Sequence, residues 1–120
     1  MSRDPRLRLN DIVEYADKAM RFVAEMSFED FSRDEKTQLA VIYALLVVGE
    51  AAKHVPQAVR VRAPRAEWDG ATQFRNRAAH GYDSLRLPTM WGILTQALPR
   101  LRGEVAALLA TLDAEDPPPR

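Results

Sequence analysis

Phe74-Arg75-Asn76-Arg77-Ala78-Ala79-His80-Gly81-Tyr82 gathers a guanidinium, an amide, an imidazole and a phenol into nine positions. Its reading decides the fold. Taken as a helix, it carries Ala71, Phe74 and Ala78 at i, i+3 and i+7, the spacing of an apolar face laid on a core. A strand would need period-two alternation, which is not evident anywhere in the chain. Asn76 and His80 are i, i+4 neighbours, so the amide is predicted to lie one turn below the imidazole and to hold its tautomer and orientation by a hydrogen bond. Arg75 stands five residues before His80. That is roughly 140° around an ideal helix, so the guanidinium must curl round the helix to share a target with the imidazole. Gly81 reads as a left-handed residue just past the helix end, which places His80 on the last turn and Tyr82 beyond it. For Arg75 and His80 alone, a helix-end histidine beside a solvated arginine is the simpler reading. Asn76 and Tyr82 turn it toward a site.

Upstream, a first helix is expected over about Leu7 to Met26, with Ile12, Tyr15, Ala19, Phe22 and Met26 on one face. Phe28 and Phe31 are expected to plug the bundle end, and Ser32-Arg33-Asp34-Glu35 has the Ser-x-x-Glu form of a capping box. The helix after it carries Leu39, Ile42, Tyr43, Leu46 and Val47 and should end near His54, because Pro56 disfavours helix in the residue before it. Glu50 continues that face, so it points inward or toward a cleft and needs a partner. It either bridges to a neighbouring segment for stability or holds Arg75 or Asn76 in place. His54, at the frayed helix end beside Lys53, is assigned no chemistry.

Val55 to Arg65, broken by Pro56 and Pro64, reads as an arginine-rich connector. Trp68 is expected to pack and Asp69 to cap the motif helix. After a loop at 83–86, a last helix from about Leu87 to Leu112 repeats Trp91, Leu94, Leu98, Leu101, Val105, Leu108 and Leu112 along a seam, with Pro99 bending it. The fold expected is an all-α, up-down bundle of about four main helices over residues 1–112, followed by a disordered acidic, proline-rich tail over 113–120.

The bulk properties set limits. The chain has 120 residues, 47% of them hydrophobic, which builds one modest core that a second copy would help to bury. There is no cysteine, which fits a reducing cytoplasm, and residues 1–5 do not resemble a signal peptide. No apolar run approaches the ~18 residues of a membrane helix. The formal net charge is zero, yet Gln57 to Arg102 holds 8 basic and 3 acidic residues, against 8 and 10 in Met1 to Pro56. The positive excess surrounds the motif, which is what a polyanion senses.

Arg75-Asn76-Arg77-Ala78-Ala79-His80-Gly81-Tyr82 resembles the R-N-x-x-x-H-x-Y form of the R-x4-H-x-Y signature of HepT-like toxins, a branch of the HEPN superfamily. Gly49-Glu50-Ala51-Ala52-Lys53, Trp68 and Trp91 stand where that family tends to carry such residues, so the resemblance runs from about Arg6 to about Leu112. Arg77, Ala78 and Ala79 depart from it, being smaller and more basic than the bulky apolar residues usual there.

There are no clustered metal ligands, no Gly-rich phosphate loop and no nucleophile beside a base in the sequence. What remains is an imidazole that passes protons near neutral pH and a guanidinium that stabilises charge, and RNA brings its own nucleophile in the 2′-OH. The resemblance implies the same: a metal-independent ribonuclease toxin, without cofactor, acting as a two-fold homodimer that brings two motifs into one cleft. In this reading Arg75 binds the scissile phosphate, His80 is general base or acid, and Asn76 orients the histidine or contacts the phosphate. The resemblance further implies an MntA-type nucleotidyltransferase antitoxin, which binds the toxin and transfers AMP to Tyr82. The alternative is a catalytically inactive helical partner or nucleotide-binding module associated with a nucleotidyltransferase.

Overall fold

The structure is a computed structural model and describes residues 4–117. Asp4 opens the first helix: its carboxylate accepts from the Arg6 backbone N–H at 2.9 Å, while Pro5 occupies a first-turn position where an N–H is dispensable. Helix α1 runs Pro5–Phe22 and buries Leu9, Ile12, Ala16 and Ala19. It starts earlier and stops earlier than its apolar spacing suggests. The chain turns at Val23, so the helical phase never reaches Met26, and Phe22 is left 41% exposed.

The capping box lies elsewhere than expected. Ser27 Oγ accepts from Asp30 N at 3.1 Å and Asp30 Oδ2 accepts from Ser27 N at 3.0 Å, opening the short helix α2, Phe28–Ser32. Ser32 is already helical within α2 and cannot adopt an extended cap conformation. Asp34 therefore caps α3, Glu35–Lys53, accepting from Thr37 N at 3.0 Å. Phe31 is buried and meets Trp91 at 5.4 Å between ring centroids, with Phe28 at 6.1 Å, so the phenylalanines do close this end of the bundle.

Helix α3 is apolar on more than one side, and only one side enters the core. Val41, Leu45, Val48 and Ala52, at i, i+4, i+7 and i+11, are buried. Leu39 and Tyr43, expected inward, are 55% and 62% exposed. After the His54 cap comes the one-turn helix α4, Gln57–Arg60. Arg60 folds back over the end of α3, donating from Nε to Val55 O at 3.0 Å and from Nη2 to Ala52 O at 2.6 Å. Trp68 packs, as expected: it is buried and its Nε1 donates to Ala63 O at 3.0 Å.

Helix α5, Trp68–His80, carries the motif. Glu67 rather than Asp69 stands at its cap position; Asp69 lies in the first turn, where its charge still complements the helix dipole. The last long element is a rod of α6, Leu87–Gly92, a π-helical turn at Ile93–Ala97, and α7, Leu98–Glu115. The widened turn answers Pro99. In a regular α-helix the proline ring meets the carbonyl four residues back, and that residue, Thr95, lies inside the π turn. The rod also passes Leu112, where the acidic tail was expected to begin. Arg6 pairs with Asp113 and Asp116 at 3.2 Å each, and Arg62 with Glu115, tying residues 113–116 to the bundle. Residues 118–120 of the expected tail lie outside the described residues.

The described residues are thus all-α, with α1, α3, α5 and the α6–α7 rod as main helices. Helix α1 packs against α3 and α7, and α3 against α5. No helix among the described residues is long and apolar enough to cross a membrane.

Candidate active site

The site begins with the absence of a side chain. A Cβ built on Gly49 would stand 2.5 Å from Arg75 Cβ and 2.6 Å from the Ala71 carbonyl oxygen, so α3 and α5 touch backbone to backbone only because residue 49 is glycine. Glu50, one residue on, is thereby brought level with Arg75. Its Oε2 lies 2.9 Å from Arg75 Nε in an ion pair, and its Oε1 accepts from His54 Nε2 at 2.9 Å. The bond from His54, with the positive charges of Arg75 and Lys53 adding to it, holds the Glu50 carboxyl below its ordinary pKa against the opposing effect of desolvation. Glu50 is therefore ionised at neutral pH.

Arg75 continues the chain of contacts. Its Nη1 donates to Asn76 Oδ1 at 3.1 Å, and among the described residues its Nη2 donates to nothing. Asn76 is accordingly not bonded to His80, as its i, i+4 spacing had suggested; its oxygen is taken by the nearer guanidinium. His80 is exposed on the last turn of α5. Gly81 follows with φ 159° and ψ 137°, a positive-φ conformation that favours glycine, though not the left-handed helical one expected. The chain then enters a 3-10 turn at Tyr82–Ser84, closed by Ser84 Oγ donating to Gly81 O at 2.7 Å. The Tyr82 side chain, the expected AMP acceptor, lies outside the described part of the structure.

Glu50 and Arg75 stand on the wall of a cleft of about 520 Å³ between α1, α3 and α5. Arg8 and Asp11 of α1 also line it, as do Ala78, Ala79 and Gly81 of the motif segment, whereas Asn76 and His80 are not among its lining residues. Glu50 thus points to a cleft, paired with Arg75 rather than Asn76. Three members were not expected from the sequence: His54 was detectable from its i, i+4 spacing to Glu50, while Arg8 and Asp11, far away in the chain, gave no signal.

The positive excess around the motif is partly committed elsewhere. Arg60 caps α3, Arg62 pairs with Glu115 and Arg102 with Asp17. Arg65, Arg77, Arg86 and Arg100 make no ion pair among the described residues, and all four are exposed.

The family model described as "Ribonuclease HepT-like" matches residues 12–108. A protein of Methanocaldococcus jannaschii with a provisional RNase name is 32% identical over 114 residues, covering 95% of this chain and 94% of its own. The protein of Thermococcus cleftensis named probable ribonuclease HepT is 33% identical over 108 residues, covering 90% of this chain and 98% of its own. No solved structure is a significant match.

Proposed function

Because this chain belongs to the HepT-like ribonuclease family, we propose that it is the ribonuclease toxin of a toxin–antitoxin pair and that it cuts RNA without a metal ion. The observation that carries this reading is Arg75: its Nε is ion-paired with Glu50 at 2.9 Å, and it lines a cleft shared with Ala79 and Gly81, the chain neighbours of His80. Arg75 holds the scissile phosphate and stabilises the charge that grows on its oxygens. With its oxygen engaged by Arg75, Asn76 presents its NH2 group to the same phosphate. His80 takes the proton from the 2′-OH or returns one to the departing 5′-oxygen. The 2′-oxygen bonds to phosphorus as the 5′-oxygen leaves, giving a 2′,3′-cyclic phosphate and a 5′-hydroxyl.

Acid and base work call for two groups, and the motif offers one histidine per chain. A two-fold homodimer with both motifs in one cleft supplies the second. Leu39, Tyr43, Leu46 and Val47 form a stripe along α3 that leads into the cleft at Glu50, and its outer members, Leu39 and Tyr43, are exposed. A second copy seated there covers the stripe and brings its own His80 to the site. An MntA-type nucleotidyltransferase antitoxin then silences the toxin by binding it and by adding AMP to Tyr82, whose phosphate competes for Arg75 and repels RNA.

One experiment tests these points together. The purified protein is expected to sediment as a dimer and to cut RNA in EDTA. His80→Ala should sediment alike and cut at least about a hundredfold more slowly. Protein co-produced with the nucleotidyltransferase should carry AMP on Tyr82 by mass and not cut. An unmodified dimer that leaves RNA intact would point instead to a partner-binding module.

A further inference from the structure

We infer that His54 is a positioning residue of this site: it holds Glu50 so that Glu50 can hold Arg75. The inference deepens the proposed function and rests on it for its catalytic meaning, though not for its geometry.

Glu50 divides its two oxygens between two helices. Oε1 accepts the ring N–H of His54 on its own helix, and Oε2 is ion-paired with Nε of Arg75 on α5, both at 2.9 Å. A carboxylate with one partner can turn about its last bonds and offer either oxygen. Held at both oxygens, it has one orientation, and the guanidinium it faces then has one as well. Removing His54 leaves Glu50 and Arg75 in place but frees the carboxylate to turn.

An i, i+4 pair on an exposed helix face contributes little by itself, and with side-chain exposures of 46% and 43% this pair has no special claim as a stabilising contact. Its place in the chain His54–Glu50–Arg75–Asn76 sets it apart. So does the anchoring of His54 at a helix end that would otherwise fray. The His54 N–H is bonded to Ala51 O at 3.1 Å, Val55 N–H to Ala52 O at 3.2 Å, and Arg60 is clasped over the Ala52 and Val55 carbonyls. The other charged groups near Glu50 are Lys53 on α3 and Arg8 and Asp11 across the cleft on α1. Among the described residues, the polar contacts of the Glu50 carboxylate come from His54 and Arg75 alone.

The test compares the full chain with His54→Ala and His54→Gln. Glutamine keeps an N–H that reaches a carboxylate one turn away but has no proton to exchange near neutral pH. Two quantities are read: hydrogen exchange of the Arg75 Nε–H by NMR, assigned with Arg75→Lys, and kcat and KM for RNA cleavage. His54→Ala is expected to speed the exchange about tenfold and to lower kcat about tenfold with KM little changed, the size of one hydrogen bond to a charged group. His54→Gln is expected to restore both. Unchanged Arg75 exchange in His54→Ala would overturn the inference, and so would a His54→Gln protein that regains slow exchange but not kcat, since His54 would then be passing protons. If the unaltered protein cuts no RNA, the exchange measurement still decides the positioning role while the ribonuclease reading fails separately.

Discussion

Gly49→Ala is expected to lower the melting temperature by roughly 8 °C, about 2 kcal/mol for a domain of this size. On helix propensity alone the change should stabilise α3 by about 1 kcal/mol. The crossing with α5 reverses the sign. The new methyl would stand 2.5 Å from Arg75 Cβ and 2.6 Å from Ala71 O, and neither is the yielding tip of a side chain. Helix α5 must move away as a unit, opening the packing behind Phe74 and drawing Arg75 off Glu50. The control is Gly103→Ala in α7, where nothing stands within 4 Å of the added Cβ. There the propensity gain is unopposed and the melting temperature is expected to rise by a few degrees. Thermal melts of the two variants against the unaltered protein measure the difference. Equal behaviour at both positions would mean that the α3–α5 crossing is looser than described.

Arg75→Lys is expected to cut RNA about a hundredfold to a thousandfold more slowly while folding normally. Arginine here does two things at once: Nε engages Glu50 at 2.9 Å and Nη1 engages Asn76 at 3.1 Å, leaving the rest of the planar fork for the phosphate. Lysine keeps the charge but gathers its donors at one point, so an ammonium satisfied by Glu50 is turned away from the substrate. Single-turnover cleavage rates make the comparison, with a thermal melt to establish folding. A lysine variant of near full activity would mean that charge alone is needed and that the bidentate geometry is incidental.

Much of this was legible in the sequence. The four long helices follow from apolar spacing, and the Trp68 and Phe31 packing roles from residue type and position. Helix ends were less legible, because several residues compete for one cap: Ser27 with Asp30 prevailed over Ser32 with Glu35, and Glu67 stands where Asp69 was expected. Helix α3 misled because its periodicity fits two faces, and only tertiary packing decides that Val41, Leu45 and Val48 go inward while Leu39 and Tyr43 do not. At the site, a carboxylate that needs a partner was expected at Glu50, with a structural bridge, Arg75 or Asn76 all open, and the fold selects Arg75. The Asn76–His80 bond failed because a guanidinium one residue away outcompetes an imidazole one turn away. Arg8 and Asp11 reach the cleft through the packing of α1 on α3, a long-range contact that no local pattern encodes.

The central claim is that RNA is cut by its own 2′-hydroxyl with help from Arg75 and His80. It is tested most directly by the chemical ends of the fragments. A short RNA incubated with the purified, unmodified dimer in EDTA is expected to give fragments ending in 2′,3′-cyclic phosphate, or the phosphate it opens to, and fragments beginning with 5′-hydroxyl, as read by mass. Fragments with 3′-hydroxyl and 5′-phosphate, or cleavage that appears only when a divalent ion is restored, would contradict it.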